Sequence, residues 1–166
     1  MKFALANIVY WGNMSSGYCL ARAEKFLNGI TQSKLEGARD LFVSITGDSL
    51  KEIKDVGLPQ FSNVSFVSKL RMFLDPENYV TLDRKLLKIK GSGIHTLFDG
   101  VTEQPTYIPI NSQNCGQYSL WSQKCKEVAY SYFRDKGIIA VDVERGIWKL
   151  IDRNRLAEAA CIVANM

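Results

Sequence analysis

A single histidine, His95, is all the imidazole this chain has. Its four cysteines, Cys19, Cys115, Cys125 and Cys161, stand far apart and form no Cys-x-x-Cys pair. A structural zinc site gathers four nitrogen or sulfur ligands, usually as closely spaced pairs, so no metal site is expected. No sequence feature calls for a cofactor either. A disulfide framework is not expected, because 166 residues are enough to bury a core without covalent staples. Reduced thiols, and with them a cytoplasmic setting, are the expectation. His95 itself is expected to be a loop or packing residue.

Long apolar runs are also missing. No stretch approaches the roughly 18 apolar residues of a membrane span. Residues 3–11 are apolar and follow Lys2, but the run is short, and Gly12-Asn13-Met14 is a poor cleavage site. The run is expected to be a buried N-terminal segment rather than a leader. There is no internal repeat, low-complexity tract or linker, which leads to the expectation of one helical domain over residues 1–166.

What is present is ordinary for a globular protein: 46% hydrophobic and 23% charged residues, a composition that excludes wholesale disorder. The formal net charge of +4 permits an anionic partner without requiring one.

Apolar residues recur mostly at three- and four-residue steps, which predicts an all-α fold. Ser15 or Ser16 is expected to cap a helix that stops at Gly29. Ser33 precedes Leu35, Ala38, Leu41, Phe42 and Ile45, with Gly47-Asp48 as the stop and Ser49 capping a short helix through Ile53. Gly57-Leu58-Pro59 reads as a turn. Residues 63–74 form the clearest helix, with Phe66, Val67, Leu70, Phe73 and Leu74 on one face. Asp75-Pro76 ends it, because a residue before proline disfavours the α region. Residues 82–90 are expected to be helical, with Leu82, Leu86 and Ile89 inward. Residues 92–116 lack the period and read as an irregular loop or small hairpin, with Tyr107-Ile108-Pro109-Ile110 as an edge strand. Helix returns over 118–136 with a stripe of Trp121, Cys125, Val128, Ala129 and Tyr132. Asp142 is expected to cap a helix whose apolar residues are Val143, Ile147, Leu150 and Ile151. Asn154 is expected to cap the last helix.

Residues 57–90 hold the one pattern that carries chemistry. The Gly57-Leu58-Pro59 turn leads to an apolar helix bearing Lys69. The proline break follows, then Leu82-Asp83 at the expected start of the next helix, and then the basic residues Arg84, Lys85, Lys88 and Lys90. This order resembles the helix-hairpin-helix DNA glycosylases, and residues 142–147 resemble a stretch of small uncharacterised bacterial proteins of that kind. An ungapped match puts Val64 or Ser65 at that family's lysine position, whereas a match a few residues shorter puts Lys69 there. The resemblance implies a helix-hairpin-helix-like core, DNA as partner and excision of a damaged or modified base. It implies Asp83 as catalytic carboxylate and Lys69 as nucleophilic amine.

The chemistry is coherent. Glycosidic cleavage leaves positive charge on the sugar, which a carboxylate stabilises, and a desolvated lysine can attack the sugar carbon to form a Schiff base. The target base must first leave the helical stack, and Tyr79, Tyr118 and Trp121 are available to stack on it. Each residue also has a plainer role. Asp83 suits a helix N-terminus, and Lys69 can lay its stem along the apolar edge with its amine in water. The basic residues suit a helix C-terminus as well as phosphates. Asp142, Glu144 and Arg145 read as a cap with a surface ion-pair arrangement. The alternative to an enzyme is a non-enzymatic interaction or nucleic-acid-binding module on the same helical scaffold.

Overall fold

The computed structural model describes residues 1–44 and 50–166. Among these the protein is all-α: α1 (Lys2–Gly12), α2 (Cys19–Gly29), α3 (Gln32–Ser44), α4 (Leu50–Asp55), α5 (Val64–Leu74), α6 (Ser112–Phe133), α7 (Ala140–Asp152) and α8 (Leu156–Ala164), with no strand. Short 3₁₀ helices at Met14–Ser16, Leu86–Ser92, Leu97–Gly100 and Arg134–Lys136 lie between them. No helix among the described residues is long and apolar enough to cross a membrane. The expected Gly47-Asp48 stop and Ser49 cap lie outside the described residues.

The apolar N-terminal run is α1, which buries Leu5, Ala6, Ile8 and Val9 against α2 and α5. The residue before α2 is Tyr18, not Ser15 or Ser16. The two serines belong to the 3₁₀ turn that precedes it. Helix α5 starts where Asn63 accepts a hydrogen bond from the Phe66 amide at 3.2 Å, and it ends at Asp75-Pro76. Val67 and Leu70 enter the core, but Phe73 and Leu74 stay exposed at the helix end, where Phe73 meets the edge of Trp11.

Two segments depart from the sequence expectation. The helix expected over 82–90 is a 3₁₀ helix that begins only at Leu86. Residues 79–83 before it have no regular structure. Val80 and Leu82 enter the core there, and Thr81 between them is buried as well, a contiguous burial that the Leu82, Leu86, Ile89 spacing disguises. The expected edge strand at Tyr107-Ile108-Pro109-Ile110 does not form. The segment before α6 is held instead by the Val64 amide, which donates to the Ile108 carbonyl at 3.0 Å, and by a buried side chain, Asn114. Its Oδ1 accepts from the Thr102 amide at 2.8 Å, and its Nδ2 donates to the carbonyls of Thr102 and Pro109, both at 2.8 Å. Asn111 caps α6 by accepting from the Asn114 amide, so that helix starts six residues before Tyr118. Asn114→Ala, which strands these backbone groups, is expected to cost roughly 2–4 kcal/mol of stability. Urea unfolding checks this, and a decrease under about 1 kcal/mol would show that Asn114 is not what holds the segment.

The C-terminal helices also begin elsewhere than expected. Asp142 lies inside the first turn of α7, where its carboxylate accepts from the Ile139 amide at 3.2 Å. Asn154 turns the chain with φ +59°, and α8 starts after Arg155. Tyr132 is exposed, while Trp121 and Cys125 of the same stripe are fully buried.

Candidate functional site

The segment from Val80 to Asp83 builds one wall of the site. Side chains of two neighbouring helices satisfy its backbone: the Leu82 amide donates to Ser68 Oγ at 3.0 Å, and Trp121 Nε1 donates to the Thr81 carbonyl at 3.0 Å. With the backbone pinned, Val80 and Leu82 fill the core, and Thr81 and Asp83 line a cavity of about 290 Å³.

Lys69 reaches the same cavity from α5. Its amine does not escape to water. The side chain is 7% exposed, and Nζ donates to the Ser65 carbonyl at 3.2 Å and to Asp83 Oδ2 at 3.3 Å. The other Asp83 oxygen accepts from the Lys85 amide at 2.9 Å, which fixes the carboxylate at the turn into the 3₁₀ helix. Close approach of α1 completes the arrangement. A Cβ on Gly12 would stand 2.8 Å from Phe66 Cε1 and 3.2 Å from Lys69 Cδ, so only glycine fits there without moving the lysine stem.

Facing this pair, α7 presents Glu144, which sequence reasoning placed on the surface. It is buried, and Thr81 Oγ donates to its Oε1 at 2.6 Å. Burial raises the Glu144 pKa to about 7, and the Asp83 charge pushes the same way. The Thr81 hydrogen bond, Lys69 and Arg145 pull it down without cancelling the effect of burial. A signal for this was present: Glu144 lies three residues from both Val141 and Ile147, on the stripe that α7 buries.

Trp11 and Trp148 supply aromatic wall, and the exposed Met14 and Arg145 also line the cavity. Neither a protein-family model, nor a curated protein, nor a solved structure matches this chain. What the cavity can do is therefore read from its own residues. It holds a carboxylate paired with a desolvated amine, a second carboxyl that takes up a proton near neutrality, and tryptophan surface. Its volume falls just short of the roughly 300–1,000 Å³ of drug-sized sites, which suits a single heterocycle.

The stacking residues expected from sequence are elsewhere. Trp121 and Tyr118 are fully buried in the core, and the Tyr79 ring lies under the Arg71 guanidinium at 3.8 Å. The basic residues divide into two sets. Lys85 is 2.5 Å from Asp152 Oδ1 and 3.5 Å from the centre of the Trp148 ring, and its hydrogen bond holds the Asp152 carboxyl below the usual range. Lys90 donates to the Val101 carbonyl at 2.8 Å and meets Glu103 at 3.4 Å. Arg84 and Lys88 are exposed and carry no ion pair among the described residues. His95 is exposed and pairs with Asp99. No disulfide joins any of the four cysteines, and no metal-ligand cluster occurs among the described residues.

Proposed function

We propose that the protein is a glycosylase-like DNA-binding protein that excises a damaged or modified base. The observation that carries this reading is the Lys69–Asp83 pair, largely withdrawn from water at the wall of a heterocycle-sized cavity. In this reading the base leaves the stack and enters the cavity between Trp11 and Trp148, and Asp83 stands beside the sugar as positive charge develops. Lys69 then either attacks the sugar carbon or, remaining charged, orients Asp83 while water attacks. These roles for Asp83 and Lys69 are the ones that the helix-hairpin-helix resemblance of residues 57–90 implies.

A panel of duplexes carrying single modified bases tests it, with released base measured by chromatography. Excision by the wild type above the Asp83→Asn control is the expected result. No excision from any duplex would leave the alternative, a non-enzymatic binding module on the same scaffold.

DNA engagement has its own test. Of the basic residues at positions 84, 85, 88 and 90, Arg84 and Lys88 have no ion pair among the described residues and can meet phosphates, and Lys85 links their surface to the Trp148 wall. Replacing both with glutamine is expected to reduce the slope of log affinity against log salt by about 1.8, at about 0.9 for each phosphate no longer neutralised. Filter binding from low to moderate salt reads the slope. An unchanged slope would take these two residues out of the DNA interface.

A further inference from the structure

Glu144 has no part in the Lys69–Asp83 chemistry, yet it lines the same cavity. One of its oxygens is satisfied by Thr81, and the other has no hydrogen-bond partner among the described residues. That oxygen is not fully enclosed, so it is open to the cavity, where a ligand can meet it. The two carboxyls of this cavity also have unlike surroundings. Asp83 is paired with an ammonium and a backbone amide, the partners of an ionised group. Glu144 is deeply buried, and its only direct partner is a neutral hydroxyl. Two carboxyls set in contrasting environments on one site are the general arrangement by which one fold supplies both an acid and a charge stabiliser for glycosidic cleavage.

We infer that Glu144 is the general acid of the cavity, passing its proton from the unpartnered oxygen to the departing base, and that the substrate class is therefore a neutral base rather than a cationic, N-alkylated one. The inference rests on the base-excision reading given above. In the step, the bond from the sugar carbon to the base nitrogen breaks, with its electron pair going to the base. The Glu144 proton moves onto the base, which leaves neutral. Water, or the Lys69 amine, bonds to the sugar carbon, and the proton it sheds passes to Asp83 or solvent. Glu144 is reprotonated from solvent. An N7-alkylated purine already carries the positive charge that protonation would supply, so it gains little from a general acid.

A near-neutral pKa suits this role. The charged and titratable groups bearing on Glu144 are Asp83 and Lys69 from the opposite wall, Arg145 beside it on α7, and the Cys125 thiol of α6.

The test compares wild type with Glu144→Gln, which keeps the acceptor for Thr81 and loses the proton. Substrates are duplexes containing 8-oxoguanine, hypoxanthine or uracil, and a duplex containing N7-methylguanine. Matched circular dichroism and thermal unfolding establish that both proteins are folded. The ratio of neutral-base to N7-methylguanine release is expected to fall by about 10²–10⁴ in the variant, the usual contribution of a positioned acid. Neutral-base release by the wild type is expected to decline as pH rises through about 7, and this decline should be missing in the variant. An equal ratio in both proteins, an unaltered pH profile, or release of N7-methylguanine alone by the wild type would overturn the assignment while leaving base excision intact. Release of no base from any duplex would instead remove the base-excision reading, and this inference with it.

Discussion

Asp83→Asn is expected to lower base release by about 10²–10³-fold, the loss typical of removing one group aimed at charge that develops in the transition state. Asparagine retains an acceptor for the Lys85 amide, so the turn that positions residue 83 survives. The substitution also leaves the Lys69 ammonium with only the Ser65 carbonyl. Breaking a fully buried ion pair costs about 3–5 kcal/mol. Here the cost is smaller, because the Asp83 side chain is 22% exposed and water can reach the vacated side. The double variant Lys69→Gln, Asp83→Asn removes both charges and should recover most of that stability. It should recover none of the activity. Restored turnover in the double variant would show that Asp83 acts only by keeping the fold together.

Lys69→Gln alone separates two mechanisms. If the amine attacks the sugar, borohydride captures a covalent complex with wild type and none with the variant. If water attacks, the variant keeps measurable base release, lowered by the loss of the cation that orients Asp83, and neither protein is trapped. Retained trapping in Lys69→Gln would place the reacting amine elsewhere.

The parts of this site that were legible in sequence are those that short-range rules control. Helix α5 is marked by its apolar period, by Asn63 and by the Asp75-Pro76 break, all of which act within a few residues. The turn bearing Asp83 was legible as a helix entrance, but its backbone was not. Thr81 and Leu82 are held by Trp121 and Ser68, and hydrogen bonds that span 40 and 14 residues of chain leave no periodic trace. The same holds for residues 101–111, where Asn114 replaces the partner that a strand would need. Glu144 is hidden in the sequence because Asp142 and Arg145 around it make an ordinary surface pattern. Its burial depends on α7 turning Val141 and Glu144 inward beside the expected Ile147 and Ile151, while Val143 and Leu150 pack against the core only in part. Trp11 and Trp148 lie too far apart in the chain for any local rule to join them.

Glu144 also makes stability depend on pH. Its folded pKa, about 7, lies above the ordinary value of 4.5. Between those values the folded protein keeps a proton that the unfolded chain has released, so the unfolded state binds fewer protons and stability falls as pH rises. The contribution is fully present below about 4.5 and is gone above about 7. Across that window it amounts to roughly 3 kcal/mol. Glu144→Gln cannot ionise and should lose this dependence. The decisive quantity is the difference in unfolding free energy between wild type and variant, because other titrating groups cancel in it. Urea unfolding in steps from pH 4.5 to 7.5 should show the wild type losing ground to the variant by roughly 3 kcal/mol. Asp152, whose pKa is lowered through Lys85, acts in the opposite sense and below this window, since its stabilising effect disappears only in acid. Adding Asp83→Asn removes a charge that raises the Glu144 pKa, so the loss should then be smaller and complete at a lower pH. A difference that stays constant with pH would mean that Glu144 is ionised throughout. It would then serve as a buried anion beside Lys69, not as a store of a proton.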